Sequence, residues 1–233
     1  MSNEKNTTTR KLSDQQIIKS WRKNARPWVT AIREGEIESR VLVTNKAIIE
    51  AVVGRAPRSV LDVGCGEGWL VRELAKAGID SLGIDVVPGL IESAQQAGGG
   101  RFRVLSYEEL SPEVLKEKFD LLVCNFSLIG NESVSRLFRL APSFLHEGGS
   151  LIVQTIHPIA GCGDAQYADG WREGSWAGFS NSFCNPAPWY FRTMETWKTL
   201  FTENGFIVNE IREPVHPGTQ KPASVIFVGV LPG

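Results

Sequence analysis

The stretch Val60–Leu70 reads VLDVGCGEGWL and contains three glycines at alternate positions, Gly64, Gly66 and Gly68. A run of residues typical of a buried strand precedes the first glycine, and a helical pattern begins near Glu67. Glycines at these positions let the backbone turn tightly and approach a ligand without a Cβ atom in the way. The free amides at the start of the helix would face that ligand. The stretch therefore predicts a ligand-binding turn between a strand and a helix.

Short β-branched runs alternate with helical patterns after this turn, which is typical of a mostly parallel sheet with helices on both faces. The predicted strands are 58–63, 81–85, 101–105, 119–125 and 148–156. The predicted helices are 67–78, 88–97, 107–117 and 131–145. The last stretch, VNEIREPVHPGTQKPASVIFVGVL, indicates two strands joined by a loop with Pro and Gly, and hence an antiparallel pair that closes the sheet.

The next predicted strand ends in an acidic residue, Asp85. Asp62 lies two residues before the first glycine. Asp62, the alternating glycines and Asp85 together resemble the first motifs of class I S-adenosylmethionine-dependent methyltransferases. This resemblance implies that the two ribose hydroxyls of an adenosine donate to Asp85; the alternative is a helix cap, since Asp85 precedes Pro88. The resemblance runs from about Glu36 to Val230.

This resemblance implies an α/β fold with a doubly wound, Rossmann-like sheet of seven strands, the last of them antiparallel. It also implies S-adenosylmethionine as cofactor and S-adenosylhomocysteine as product, with the amino-acid tail and sulfur at the glycine turn. The residues implied to contact the cofactor are Arg40, Asp62, Gly64, Cys65, Gly66, Gly68, Asp85, Ser106, Tyr107, Asn125 and Phe126.

Two of these contacts have alternatives. Ser106 stands where the family commonly has an aspartate that meets the adenine amine; its hydroxyl can accept from that amine, and Tyr107 can offer its backbone amide. Arg40 is expected to bind the cofactor carboxylate, because a guanidinium grips a carboxylate with two hydrogen bonds. The alternative is a solvated residue paired with Glu36, one helical turn earlier.

The insert 159–191 interrupts the α/β alternation, since it is rich in Gly, Ser, Asn and Pro yet carries many aromatic residues. A long insert without regular structure inside a compact domain is usually functional. We expect a lid over the methyl acceptor, with Trp176, Trp189 and Tyr190 contacting the substrate and Trp28 facing them from the N-terminal segment. The alternative is an ordinary packed loop that covers the edge of the sheet.

His157 directly follows the predicted strand LIVQTI, at the edge of the sheet where substrates bind in open α/β folds. We expect His157 to act as a catalytic base or to contact the acceptor, and the alternative is a structural histidine held by hydrogen bonds. A base is needed only if the nucleophile is a hydroxyl, an amine or an acidic carbon.

The N-terminal segment is expected to change character near Ser13. Residues 1–12 are polar and show no apolar period, which predicts disorder. Ser13 begins a helical pattern that Pro27 is expected to interrupt, and a second helix is predicted over 37–53. We therefore expect an N-terminal helical cap over 13–56.

Length and charge limit the classes of function. A chain of 233 residues suffices for one large α/β domain, here 13–233, but not for two ordinary enzyme domains. With 25 basic and 26 acidic residues, the chain has no electrostatic footprint for nucleic acid or an anionic membrane. It shows no apolar span or secretory signal, which predicts a cytoplasmic protein. Its four cysteines lack metal-site spacing, so we expect no metal.

The favoured interpretation is a methyltransferase that transfers a methyl group to a small-molecule acceptor by direct displacement. A nicotinamide-dependent oxidoreductase is one alternative, but it predicts G-x-G-x-x-G and a catalytic pair such as Tyr-x-x-x-Lys, and neither is present at a suitable place. A non-catalytic module that binds S-adenosylmethionine is the other, and Ser106 leaves it open. The acceptor and the oligomeric state leave no decisive mark in the sequence.

Overall fold

The computed structural model describes residues 11–233; the disorder predicted for 1–12 lies, up to residue 10, outside the described residues. The helices are α1 (Asp14–Arg33), α2 (Asn45–Val53), α3 (Trp69–Lys76), α4 (Pro88–Ala97), α5 (Pro112–Leu115), α6 (Glu132–Leu140), α7 (Pro158–Cys162) and α8 (Met194–Glu203). The strands are β1 (Ser59–Val63), β2 (Asp80–Asp85), β3 (Arg101–Val104), β4 (Phe119–Asn125), β5 (Leu145–Thr155), β6 (Gly170–Arg172), β7 (Trp189–Phe191), β8 (Ile207–Arg212) and β9 (Val225–Val230).

Seven of these strands form one sheet in the order β3-β2-β1-β4-β5-β9-β8. The first five pair in parallel, whereas β9 runs antiparallel to both β5 and β8. The predicted doubly wound, seven-stranded sheet with an antiparallel last strand is therefore confirmed. The strand order reverses at β1 and β4, and the carboxyl ends of strands at such a reversal open a crevice in which ligands bind.

The core occupies both faces of this sheet. Because side chains alternate along a strand, Leu61 of β1 points to a cluster with Phe138 of α6 and Phe201 of α8. Val60 points to the other face, where it packs in a cluster with Leu74 of α3. Helices cover both faces of the parallel strands, which is what a doubly wound sheet requires.

Helix α1 continues through Pro27 to Arg33, so the predicted interruption at Pro27 is wrong. Proline removes one backbone hydrogen bond from the helix. The inward face of α1 nevertheless stays buried on both sides of that point, at Ile17, Asn24 and Ala31. We attribute the continuity of the helix to this packing.

Other predicted boundaries also moved. The helix predicted over 37–53 is regular only as α2, which follows a π-helical turn at Arg40–Thr44, and the one predicted over 107–117 is reduced to α5. Strand β5 begins at Leu145, where a helix was predicted to end. Gly148 has a φ of 70° and lies beside a shift in the β4–β5 register, so it permits a bulge in the strand and does not end a helix.

Helix α1 is tied to the sheet at both ends. At its start, the Asp14 carboxylate accepts the backbone N–H groups of Asn131 and Ser133 at 2.9 and 2.7 Å, where α6 begins. At its end, Arg33 Nε donates to Glu67 Oε2 at 3.0 Å, within the glycine turn. The helix therefore spans the crevice from the start of α6 to the turn.

None of the helices within residues 11–233 combines the length and the apolar character needed to cross a bilayer.

Candidate functional site

A cavity of about 530 Å³ lies at the carboxyl ends of β1, β2 and β4, between the glycine turn, α1 and the aromatic insert. Its volume is in the usual range for a small-molecule site. Most of the predicted cofactor residues come together in its wall. Those that line it are Arg40, Asp62, Gly64, Cys65, Gly66, Asp85, Tyr107, Asn125 and Phe126.

The glycine turn is held in a conformation that favours glycine. Gly64, Gly66 and Gly68 have φ values of 77°, 58° and 82°. A Cβ atom at Gly64 would collide with Ser127, and one at Gly68 would lie 2.6 Å from a Phe102 ring atom. Gly68 therefore serves packing and does not line the cavity. A Cβ atom at Gly66 would meet only Trp28, at 3.4 Å from Nε1, so Gly66 is the position where the turn faces the cavity.

Two buried carboxylates flank the turn. Asp85 Oδ2 accepts the Gly66 N–H at 3.0 Å, and its Oδ1 accepts the Val87 N–H at 2.9 Å. Asp62 is only 1% exposed, and its Oδ1 has no hydrogen-bond partner within the described residues. Burial raises the pKa of Asp62 to about 7, helped by the nearby Asp85 charge, and burial raises the pKa of Asp85 to about 6. Neither carboxyl group is in an ion pair within the described residues, and the nearby Arg40 charge offsets the effect of burial on Asp62 only in part.

These raised pKa values predict a pH-dependent stability. Between pH 4 and 7 the folded chain holds protons on Asp62 and Asp85 that the unfolded chain releases near the ordinary pKa of 3.8. The free energy of unfolding of the ligand-free protein should therefore fall as pH rises from 5 to 8. We expect a smaller fall in Asp62→Asn, measured by urea unfolding at several pH values. Parallel curves for the two proteins would contradict the raised pKa of Asp62.

Arg40 brings positive charge to the same cavity. Its guanidinium carbon lies 5.8 Å from the Trp28 ring centroid and 5.4 Å from that of Trp69, and its Nε donates to Asn45 Oδ1 at 3.2 Å. Burial lowers the pKa of Arg40 to about 10, and the guanidinium stays charged. None of the ion pairs among residues 11–233 includes Arg40, so the pairing with Glu36 that we weighed is not formed.

Of the two residues predicted to contact the adenine, only Tyr107 lines the cavity. Ser106 Oγ accepts the Glu109 N–H at 3.2 Å, and the Ser106 N–H donates to Glu109 Oε2 at 3.0 Å. Ser106 is thus engaged in a local turn and does not line the cavity. Tyr107 does line it, and its hydroxyl donates to the Ser127 carbonyl at 3.3 Å.

The end of β4 supplies Asn125 and Phe126. Asn125 Oδ1 is buried and has no partner within the described residues. Phe126 has a φ of 56°, which is unusual for a residue with a side chain, and its N–H donates to the Gln154 carbonyl at 2.8 Å. The strand therefore ends abruptly at the cavity, with an unpartnered amide oxygen in its wall.

Sequence reasoning missed Glu67, whose side chain is 1% exposed. Its carboxylate accepts from Arg33 of α1 at 3.0 Å and from Arg72 of α3 at 2.6 Å. The signal was an acid inside the glycine motif with an arginine five residues later. Glu67 therefore holds the turn against two helices.

The aromatic insert packs on α1. Asn24, which is fully buried, donates to the Cys184 carbonyl at 2.7 Å and accepts the Cys184 N–H at 2.9 Å. Trp176 donates its indole N–H to the same carbonyl at 3.0 Å. Trp28 and Trp176, two of the predicted substrate contacts, line the cavity together with Phe179.

Three predicted acceptor residues do not line this cavity. His157 is buried, and its Nε2 lies 2.8 Å from Glu213 Oε1. This contact is of the kind expected of a structural histidine held by hydrogen bonds, which was the alternative to a catalytic base. Trp189 and Tyr190 belong to β7, where Trp189 lies against the Phe191 ring of the same strand and Tyr190 lies against the Trp171 ring of β6. Within the described part of the chain, no group of three or more His, Cys, Asp or Glu side chains is arranged for a metal ion.

Curated relatives share part of this chain. A ubiquinone biosynthesis O-methyltransferase from Methylococcus capsulatus is 30% identical over 130 residues, which cover 53% of this chain and 55% of that protein. The chain spans about half the length of the curated relatives of this name.

Solved structures share the fold. Magnesium protoporphyrin IX methyltransferase from Synechocystis with bound S-adenosylmethionine superposes with a TM-score of 0.63 at 18% identity, covering 96% of this chain and 100% of that chain. An S-adenosylmethionine-dependent methyltransferase from Mesorhizobium loti gives 0.57 at 22% identity, covering 75% and 90%. Residues 38–211, about three quarters of the chain, match the family described as methyltransferase domain. The resemblance seen at the glycine turn is thereby confirmed at the level of the family, and the chain belongs to the methyltransferase domain family.

Proposed function

We propose that this protein binds S-adenosylmethionine in the described cavity and transfers its methyl group to a small-molecule acceptor. The observation that carries the proposal is the buried, unpartnered oxygen of Asp62 beside an open Gly66. A buried carboxylate oxygen without a hydrogen-bond partner is costly unless a ligand brings a cation or a donor. S-adenosylmethionine carries two cationic groups, an ammonium and a sulfonium.

The residues in the cavity fit the parts of this cofactor. Asp62 and the amide oxygen of Asn125 are free to accept from the ammonium, and Arg40 is free to bind the carboxylate. Asp85 uses one lone pair of each oxygen for the backbone and keeps the others for the two ribose hydroxyls. Ser106 is not part of this set, because its hydroxyl already serves Glu109.

When bound, S-adenosylmethionine supplies a methyl group on an activated sulfonium with a good leaving group. The work left to the protein is to align the acceptor with that methyl group and to exclude water. Helix α1 and the insert do this from one side of the cavity through Trp28, Trp176 and Phe179. The proposal assigns no proton transfer to His157, since its imidazole lies against Glu213 outside the lining.

A small-molecule acceptor agrees with the way in which the cavity is enclosed. Its acceptor side is walled by α1 and the insert, and the insert is latched to α1 through Asn24. The ubiquinone biosynthesis relatives are named for a methyl transfer to oxygen in the synthesis of a small molecule. From these relatives we infer for this chain only that the acceptor is a small molecule, and not which molecule it is.

Calorimetry and a transfer assay test the proposal. We expect micromolar binding of S-adenosylmethionine and no binding of NADH under the same conditions. Methyl-labelled cofactor should then label at least one compound of a metabolite extract, fractionated to separate small molecules from protein and nucleic acid. Binding of NADH alone would favour the oxidoreductase, and tight cofactor binding without any transfer would favour the non-catalytic module. Label found only in macromolecules would overturn the small-molecule acceptor.

A further inference from the structure

Part of the cavity wall comes from α1, the start of α6 and the aromatic insert, and not from the glycine turn. We call this part of the cavity the acceptor chamber; the residues that define it are Asp14, Ile18, Trp21, Ser133, Trp176 and Phe179. We propose that the acceptor chamber takes a planar apolar molecule that is uncharged or cationic, directs a hydrogen-bond donor of that molecule to Asp14, and discriminates against anions. The inference rests on the proposed function, since it concerns the acceptor of the same site.

Four aromatic rings form a closed cycle at this chamber. Trp21 lies 4.9 Å from Trp28 and 5.7 Å from Trp176, between ring centroids, with the ring planes nearly perpendicular in both pairs. Phe179 closes the cycle at 5.3 Å from Trp176 and 6.5 Å from Trp28. The rings pack against one another, edge to face in three of these four contacts, and all four residues also line the cavity, so their remaining open surface forms an aromatic wall. Such a surface favours flat apolar groups, and its ring faces attract cations.

The charged residues of the lining also favour an uncharged or cationic acceptor over an anionic one. Among the lining residues that the structure describes, Arg40 is the only lysine or arginine, and the proposed function commits it to the cofactor carboxylate. The acceptor chamber itself contains the carboxylate of Asp14. Another guanidinium near Asp14, that of Arg192, donates to the Gly130 and Asn131 carbonyls and lies outside the lining. An anionic acceptor would therefore meet the Asp14 carboxylate and no lining cation, whereas an ammonium or a hydroxyl would be stabilised there.

Asp14 is oriented for such a contact. Its two oxygens accept the backbone N–H groups of Asn131 and Ser133, which holds the carboxylate rigidly, and each oxygen keeps a further lone pair. Gly130 lies beside it, where an added Cβ atom would be 2.8 Å from Asp14 Oδ2 and would collide with the Ser133 hydroxyl. The absence of a side chain at Gly130 thus keeps the carboxylate and the hydroxyl accessible at one end of the chamber.

Three probes with one ring system and different charges test the inference: tryptamine, 3-methylindole and indole-3-acetate. Their affinities are measured by calorimetry on the full chain saturated with S-adenosylhomocysteine, at neutral pH. We expect tryptamine to bind at least about 10-fold more tightly than indole-3-acetate, with 3-methylindole between them. Equal or tighter binding of indole-3-acetate, or no binding of any probe, would overturn the inference. Failure of S-adenosylhomocysteine to bind would instead contradict the proposed function.

Two variants distinguish the contribution of the Asp14 charge to binding from that of the aromatic rings. Asp14→Asn should bring the affinities of tryptamine and indole-3-acetate close together, whereas Asp164→Asn, the same change at an exposed position of the insert, should leave their ratio unchanged. Trp176→Leu should weaken all three probes in parallel. An unchanged ratio in folded Asp14→Asn would remove Asp14 from the proposal. If that variant does not fold, the ratio in the wild-type protein and its decrease with added salt decide the matter.

Discussion

Gly66→Val is expected to abolish the binding of S-adenosylmethionine. The φ of Gly66 is 58°, and its Cβ direction points into the gap between the turn and the Trp28 indole. A valine there would fill the space through which a ligand must approach the backbone of the turn. Calorimetry should detect no binding, which corresponds to a loss of affinity of at least about 100-fold.

Gly78→Val is the matched control for this variant. Gly78 has a φ of 76° in the exposed turn between α3 and β2, and a Cβ atom there would meet nothing within 4 Å. The two substitutions strain the backbone in the same way, at a cost of about 1–2 kcal/mol each. Both proteins should therefore show lowered thermal stability, but only Gly66→Val should lose the cofactor. Near wild-type affinity in folded Gly66→Val would remove the glycine turn from the proposed site.

The part of this fold that could be predicted from the sequence is the part determined by local chemistry. A buried strand, a glycine turn and a helix follow one another within Val60–Leu70, and each has its own short-range signal. Asp85 could also be predicted, because an acidic residue at the end of a strand is recognised from a short stretch of sequence. Repeats of this local pattern predict the alternation of strands and helices, whereas the number of strands and the cofactor contacts were implied by the resemblance to the methyltransferase family.

The arrangement of α1 and the insert around the cavity could not be predicted, because long-range contacts determine it. Asn24 holds Cys184, 160 residues further along the chain, and Asp14 holds Asn131 and Ser133. No spacing rule connects residues so far apart. The continuation of α1 through Pro27 has the same origin, since packing outweighs the local preference to end a helix there.

In the aromatic insert, the positions of single side chains could not be predicted from the sequence either. Its aromatic residues follow no period, so the sequence gives no indication of which rings face a ligand. Tyr190 meets Trp171 across the β6–β7 pair and Trp189 lies against Phe191 of its own strand, whereas Trp176 lies in the loop between the two strands and lines the cavity. Which ring lies where depends on this small sheet, which the composition of the insert did not indicate.

Helix α1 connects all parts of the site. It reaches the glycine turn through Arg33 and Glu67, lines the cavity with Trp21 and Trp28, and holds the insert through Asn24. We therefore expect a substitution at one of these contacts to affect the others, since one helix carries all of them. This connection makes matched controls necessary when loss of a side chain is to be interpreted as loss of a ligand contact.

Asp85→Ala is expected to weaken the binding of S-adenosylmethionine by about 100-fold or more, because hydrogen bonds to a charged acceptor contribute about 1.5–3 kcal/mol each and two ribose hydroxyls lose theirs. The variant also loses the two backbone contacts of Asp85, to Gly66 and Val87, and should be less stable. Binding is measured by calorimetry and stability by urea unfolding, at pH 8, where Asp85 with its pKa of about 6 is ionised.

Asp120→Ala distinguishes a lost ligand contact from a weakened fold. Asp120 Oδ2 accepts the backbone N–H groups of Arg58 and Ser59 at 2.8 and 3.1 Å, at the opposite end of β1 from the cavity. Its removal thus costs backbone hydrogen bonds of the same kind, while the affinity for S-adenosylmethionine should stay within about 2-fold of wild type. If Asp85→Ala and Asp120→Ala lower stability alike and both retain the cofactor, Asp85 does not bind the ribose. The negative charge at the end of β2 then serves only to hold the glycine turn.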